Sequence, residues 1–384
     1  MISSRAADLV PARLRSIDWD FTRPVAREAI HDIHPYPARF VPQIPRELIR
    51  MFHPGDDSVV LDPFCGCGTS LVEATAAGLP AVGVDLNPLA VLISEVKTTP
   101  LRERITPAAA EVIRGRASKS AAIPEIPRLD HWFKPEIQRA LAELLTGIEA
   151  VADSSTRNAL RVALSRIIVR VSNQDSDTRY AAVANNVSES DVYDLFMQSS
   201  EVVDSALADA YAGLFARKPR VQVLHQDVLT LKPESIGGEV GLVVTSPPYP
   251  NAYEYWLYHK YRMYWLGMDP IALRTAEIGA RPHYFKKNHQ TEADFEVQMA
   301  KVFRLLGRVL PVGRFACFVI GRSIIHGRHI DNVQLLARAA STAGFDLVGS
   351  VDRSIARNRK SFNLFHAAIT QETIAVFQLK KANL

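Results

Sequence analysis

The chain has 384 residues, 47% hydrophobic and 22% charged, and at about 150 residues per domain it can form two to three domains with a sizeable core. Three cysteines exclude a disulfide framework, and no apolar run approaches the ~18 residues that a bilayer span needs. The formal charge of +4 permits an anionic partner without demanding one. The opening MISSRAADLVPARLRS has no apolar stretch followed by a cleavage signal, so the expected place is the cytoplasm.

In chain order, the first thirty residues are polar and weakly patterned, an arm or edge element. The prolines of His34-Pro35-Tyr36-Pro37-Ala38 and Val41-Pro42-Gln43-Ile44-Pro45 predict an extended stretch, with Pro45 in the first turn of a helix through Met51. Ser58–Asp62 reads as a short strand ending in an acid, and Pro63–Gly68 as a tight loop. Ser70 with Glu73 matches a capping box, and Gly78 is a helix stop. Ala81–Asp85 is a second buried strand, and Asn87-Pro88 caps and opens a helix through Lys97. The run is a βαβ unit.

Residues 101–219 change character. Glu136–Val151, Thr156–Val171 and Ser188–Leu214 carry apolar residues at helical spacing, with a polar stretch Ser172–Tyr180 between two of them. Strand patterns resume at Val221–Leu224, Val240–Val244, Arg314–Ile320, Phe345–Val351 and Thr373–Leu379. The organisation expected is an α/β domain in two halves, 1–100 and 220–384, split by a helical insertion at 101–219.

Gly66 and Gly68 sit where a strand turns into a helix, so the backbone can approach a ligand and present free N–H groups. Asp85 ends the next strand, where an acid can hold a ribose diol. The loop is neither G-x-G-x-x-G nor a P-loop, and the leading Asp62 repels a pyrophosphate. A ligand with a cationic end and a nucleoside suits it better, and S-adenosylmethionine is such a ligand. Asp227, after the third strand, is placed to receive the adenine amino group. The bland alternative is a glycine turn with solvated acids at strand ends.

Thr245-Ser246-Pro247-Pro248-Tyr249 ends an apolar strand in a rigid turn. A hydroxyl, outward carbonyls and an aromatic ring in one corner can grip a planar heterocycle bearing an amine. The alternative is a plain proline turn.

Asp62-Pro63-Phe64-Cys65-Gly66-Cys67-Gly68-Thr69 together with Thr245–Tyr249 resembles the motif pair of the S-adenosylmethionine-dependent exocyclic-amine DNA methyltransferases, in the Ser-Pro-Pro-Tyr subgroup. His34–Ala38 resembles the segment that closes over the methionine moiety in relatives with the glycine loop first. The resemblance spans 34–97 and 221–379. It implies a Rossmann-like class I methyltransferase sheet of seven strands whose last pair is a hairpin. It implies Tyr36, Pro37, Ala38, Asp62, Phe64, Gly66, Gly68, Thr69, Asp85 and Asp227 at the cofactor, and Ser246, Pro247, Pro248 and Tyr249 in catalysis. The activity implied is direct methyl transfer to a flipped base in a specific duplex sequence, without a covalent intermediate and without a metal. Serine at 246 points to cytosine N4, with adenine N6 as the alternative. An RNA amine methyltransferase of the N2-guanine type and a non-catalytic binding subunit remain rivals. The implied partners are double-stranded DNA and, for a restriction-linked enzyme, a cognate endonuclease; the implied place is at the nucleoid. Oligomeric state has no signal in the sequence.

The insertion departs from the commonest layout of that family. Asn173, Gln174 and Arg179 are types that read base edges, against the reading of a self-capped polar loop. Arg281–Asn288, with Lys286 and Lys287, and Arg353–Lys360, with Arg357, Arg359 and Lys360, are basic stretches suited to phosphate, against plain solvated faces. The aromatic run Tyr253–Trp265 is expected mostly as core, with one or two rings walling the pocket.

Overall fold

A computed structural model describes residues 9–22, 28–55, 57–116, 121–177, 179–215, 217, 219–251, 253–285, 290–355 and 370–381. Nine strands are described: β1 Val59–Asp62, β2 Ala81–Asp85, β3 Val221–His225, β4 Val240–Thr245, β5 Phe315–Gly321, β6 Ser323–Ile325, β7 Arg328–Ile330, β8 Phe345–Ser354 and β9 Gln371–Leu379. Seven form one sheet in the order β3-β2-β1-β4-β5-β9-β8. The first five are parallel, with Leu61 opposite Val82 on one side and Val243 on the other. β9 runs antiparallel between β5 and β8. The α/β Rossmann-like sheet with a terminal hairpin expected from the sequence is the one observed.

Strand alternation divides the core. Val60, Leu242, Val244, Cys317 and Val376 face the helices Gln43–Met51 and Thr69–Ala76. Leu61, Val243, Phe318 and Phe377 face Glu292–Val309 and Asn332–Ser341. A third cluster joins the helix Pro88–Thr98 to the insertion helices Pro135–Glu149, Ser154–Ile168 and Glu189–Asp209. The insertion therefore packs directly on the second helix of the βαβ unit. No described helix is long and apolar enough to cross a membrane.

The N-terminal arm is a short helix, Val10–Arg15, that covers β8 where Gly349 leaves room for Val10 and Leu14. Arg353, read as part of a basic stretch, is buried instead. It donates through Nε to the Trp19 carbonyl at 3.0 Å and pairs with Glu372. The capping box also gives way: Gly68 is the N-cap of Thr69–Ala76, and no side chain caps that end. Glu73 instead meets His31 Nε2 at 2.8 Å and Arg46 Nε at 2.7 Å, because a buried carboxylate gains more from an arginine and an imidazole N–H than from a local backbone N–H. The β6–β7 hairpin had no clear sequence signal.

Gly68 has φ +79°, and a Cβ there would lie 2.8 Å from Ser94 Oγ and 3.1 Å from the Ser94 Cα. Gly68→Ala is expected to destabilise by about 1–2 kcal/mol from the left-handed backbone alone, with the clash on top. Gly267 has φ +70° but open space around it, so Gly267→Ala is expected to cost less. Urea unfolding of the two variants checks the order, and equal losses would contradict the close approach of loop and helix.

Candidate active site

The strand order reverses between β1 and β4, and open α/β sheets bind ligands at the carboxyl ends beside such a reversal. A cleft of about 910 Å³, its open mouth included, lies there. Asp62 enters it from β1, Phe64, Gly66 and Thr69 from the glycine loop, and Asp85 from β2. Asp227 follows β3, and Ser246 and Pro248 follow β4. Tyr36 and Ala38 close it from the segment before the helix Gln43–Met51.

The glycine loop is held from three sides. Cys65 N donates to the Val84 carbonyl at 2.9 Å, and Gly66 N donates to Asp85 Oδ2 at 2.8 Å. Ser94 Oγ donates to the Gly66 carbonyl at 2.8 Å. Gly66 has φ +50°, and a Cβ there would point at the Tyr36 ring 3.6 Å away. Asp85 Oδ1 also accepts from Asn87 N at 2.8 Å, so one carboxylate fixes both the loop and the next helix start. Asn87 in turn caps that helix through Leu89 N, as its sequence suggested.

Asp62 Oδ1 accepts from Thr245 Oγ1 at 2.6 Å and from Phe64 N at 3.1 Å, tying β1 to β4 across the cleft floor. Burial nevertheless pushes Asp62 up to about 6, and burial raises Asp85 as well. Burial pushes the Cys65 thiol well up, so it is no ready thiolate.

Ser246 Oγ donates to the Val319 carbonyl at 3.1 Å, and Tyr249 Oη donates to Glu372 Oε1 at 2.9 Å. Ser246 Oγ also lies 3.4 Å from Tyr249 Oη. With its hydrogen on the Val319 carbonyl, Ser246 keeps lone-pair capacity to accept from a ligand. Pro37, Gly68, Pro247 and Tyr249, also expected at the site, are each next in the chain to residues that line the cleft. Gly68 packs on Ser94, and the Tyr249 ring is 6% exposed and lies 6.0 Å from Tyr253. Apolar neighbours and the bond to Glu372 fix the position of that ring beside the turn.

Tyr255, one ring of the aromatic run expected to lend a wall to the pocket, and Glu277, which has no signature in the sequence, also line the cleft. Tyr255 stacks on Tyr36 at 5.8 Å, one ring of an aromatic run that is otherwise largely core. Glu277 Oε1 accepts from Tyr255 N at 2.9 Å, and burial pushes its carboxyl up to about 8. Only long-range folding brings this ordinary glutamate to the wall. The segment carrying Tyr36 is anchored on the insertion, where His34 Nε2 lies 2.9 Å from Ser165 Oγ.

Of the residues expected at DNA, Arg179 is exposed and lies 3.5 Å from Asp175. Asn173 donates to the His131 carbonyl and Gln174 to the Ser176 carbonyl, so both amides serve the loop itself. Arg281 is half-buried at the start of Pro282–Phe285. Lys286, Lys287, Arg357, Arg359 and Lys360 lie outside the described residues.

The wall carries four carboxyls, those of Asp62, Asp85, Asp227 and Glu277, with Arg39 as the only basic side chain among the described lining residues. That set repels phosphate and suits a cationic ligand. The aromatic rings of Tyr36, Phe64 and Tyr255 and the volume suit a nucleoside. The residues present therefore fit S-adenosylmethionine.

Residues 13–95 match the family model described as DNA methylase. The chain is 28% identical over 246 residues to the Type II methyltransferase M.MvaI of Kocuria varians, covering 59% of this chain and 54% of the relative. It is 38% identical over 87 residues to the Type II methyltransferase M.MjaII of Methanocaldococcus jannaschii, covering 21% and 16%. The match to the Type II methyltransferase M.AvaI of a Nostoc species is 22% over 243 residues, covering 57% and 50%. The chain thus spans about half the length of the first of these relatives. A solved rRNA methyltransferase from Streptomyces viridochromogenes aligns with a TM-score of 0.34 at 11% identity, covering 92% of this chain and 90% of that one. The resemblance to exocyclic-amine DNA methyltransferases is borne out by these matches, and methyltransferases of that family use S-adenosylmethionine as methyl donor.

Proposed function

We propose that this chain is an S-adenosylmethionine-dependent DNA methyltransferase that acts on an exocyclic amine, the N4 of cytosine, in duplex DNA. The observation that carries the reading is Ser246, a hydroxyl oriented as an acceptor in the same cleft as an acid-lined nucleoside site. The choice of cytosine rests on serine at that position.

When bound, the cofactor supplies an electrophilic methyl on a sulfonium. Asp85 and Asp227 hold its nucleoside by accepting hydrogen bonds, and Asp62 keeps β1 and β4 in register beneath it. Ser246 Oγ and the Pro247 carbonyl accept the two hydrogens of the target amine. That geometry draws the nitrogen lone pair out of ring conjugation and aims it at the methyl; the N–C bond would form as the S–C bond breaks, the neutral thioether would leave, and one amine proton would pass to solvent. The gain comes from positioning and fixed dipoles rather than covalent chemistry. A base must leave the helix to reach a floor this deep. Incubation with radiolabelled donor is expected to label duplex DNA and to leave tRNA and rRNA unlabelled. Label in RNA alone would transfer the chain to the RNA rival.

The carboxyls make a second expectation specific. Raised acids bind protons in the empty cleft, and a sulfonium favours their ionised forms, so binding releases protons. Glu277 faces Asp85, Glu254, Tyr36 and Tyr255, and burial dominates its shift. Affinity for S-adenosylmethionine is expected to rise several-fold from pH 6 to pH 8.5. Affinity for the uncharged thioether S-adenosylhomocysteine should rise less, and Glu277→Gln should flatten the difference. Calorimetric titrations giving equal pH slopes for both ligands would contradict this charge assignment.

A further inference from the structure

Beside the cleft, three cations converge on one face. Lys260 begins the helix Lys260–Trp265, and its Nζ lies 5.5 Å from the Tyr180 ring centre, 5.7 Å from Tyr261 and 6.0 Å from Tyr264. Tyr180 and Tyr261 stack at 5.8 Å with planes 9° apart, and Trp132 packs against both. Arg274 lies 5.2 Å over the Trp256 ring, and Arg128 is exposed with φ +57°.

Arg128 is the N-cap of the helix Leu129–Trp132, whose Trp132 packs on those rings, and Arg274 and Arg128 both disfavour the Lys260 ammonium, which burial already lowers. Among the described residues none of the three is paired with a carboxylate. The acid beside Tyr264 is Asp269, whose Oδ1 accepts from Ile271 N and Ala272 N at the start of the helix Pro270–Ala276. Like charges held together without a counter-charge cost energy that an external anion recovers.

Two positions narrow the anion. The helix Pro270–Ala276 carries Arg274 on this face and Leu273 and Ala276 on the cleft wall, so one short helix joins the cationic face to the cleft. The rings of Tyr180 and Tyr264 are only partly buried, and cations interleaved with aromatic rings match a polymer of phosphates and sugars. Arg128 and Tyr180 belong to the insertion, while Lys260 and Arg274 belong to the half that carries Ser246.

We propose that Arg128, Lys260 and Arg274, set among Tyr180, Tyr261 and Tyr264, hold the phosphodiester backbone beside the target base, so that insertion and catalytic half grip one duplex together. The inference rests on the DNA methyltransferase reading and gives the insertion a backbone-positioning role that its sequence alone did not assign.

The test is the salt dependence of binding of a mixed-sequence duplex to the full chain. In R128A/K260A/R274A the slope of log affinity against log salt is expected to be shallower by about 0.9 for each phosphate no longer neutralised, about 2.7 in all. Affinity for S-adenosylmethionine should stay within about twofold, which also shows that the variant is folded. R50A/R338A, which removes two surface cations elsewhere, should leave the slope nearly unchanged. If the triple variant does not fold, Arg128→Glu alone, at an exposed position, should make the slope shallower by about 1. A wild-type slope in these variants overturns the surface while sparing the methyltransferase reading. A wild-type chain that binds no duplex overturns both.

Discussion

Ser246→Ala is expected to lower the single-turnover rate of methyl transfer to DNA by about 10²–10³-fold, the range seen when one positioned hydrogen-bond group is removed from a reacting centre. Affinity for S-adenosylmethionine should stay within about twofold. The expectation follows from where the serine's own hydrogen goes. Because it is directed to the Val319 carbonyl, the oxygen meets an amine as an acceptor, and alanine leaves that amine conjugated and poorly aimed. Removal also frees the Val319 carbonyl, a cost to stability of about 1 kcal/mol that a urea titration separates from the kinetic effect. Unchanged turnover with intact binding would show that this hydroxyl does not touch the reacting amine. The neighbouring Tyr249 provides a contrast. Tyr249→Phe removes the bond to Glu372 and the 3.4 Å contact with Ser246 Oγ but keeps the buried ring, so it should cost less turnover than Tyr249→Ala, which empties a core position.

Asp85→Ala is expected to combine the largest loss of cofactor affinity, about 100-fold or more, with a loss of about 2–6 kcal/mol in stability. Its two oxygens accept from Gly66 N and Asn87 N, and each amide left without a partner costs about 1–3 kcal/mol. The glycine loop is then without the bond that sets its height above the sheet. Asp85→Asn keeps one carbonyl acceptor and should fall between wild type and alanine in both measurements. Calorimetric binding and urea unfolding check this, and normal stability in Asp85→Ala would show that the bonds to Val84 and Ser94 suffice to hold the loop.

The parts legible in sequence are those built by local chemistry. The run from Val59 to Asn87 carries its strands, glycine turn and helix cap within thirty residues, each feature calling on its chain neighbours. The Ser-Pro-Pro-Tyr turn could be placed at a strand end for the same reason. Features set by distant partners were not legible. Glu73 has the spacing of a capping box, but His31 and Arg46 draw it away. Arg353 has the look of a solvated basic stretch, but Trp19 and Glu372 bury it. Glu277 carries no pattern at all, since its place on the cleft wall follows from the packing of two short helices behind β4.

The central claim is transfer of a methyl group to an exocyclic amine at Ser246. Mass spectrometry of nucleosides from duplex DNA treated with the protein and labelled S-adenosylmethionine tests it most directly. N4-methylcytosine is the product expected. N6-methyladenine would keep the amine mechanism and contradict the base, whereas 5-methylcytosine would contradict the mechanism itself, in which no covalent bond to the base ring is made.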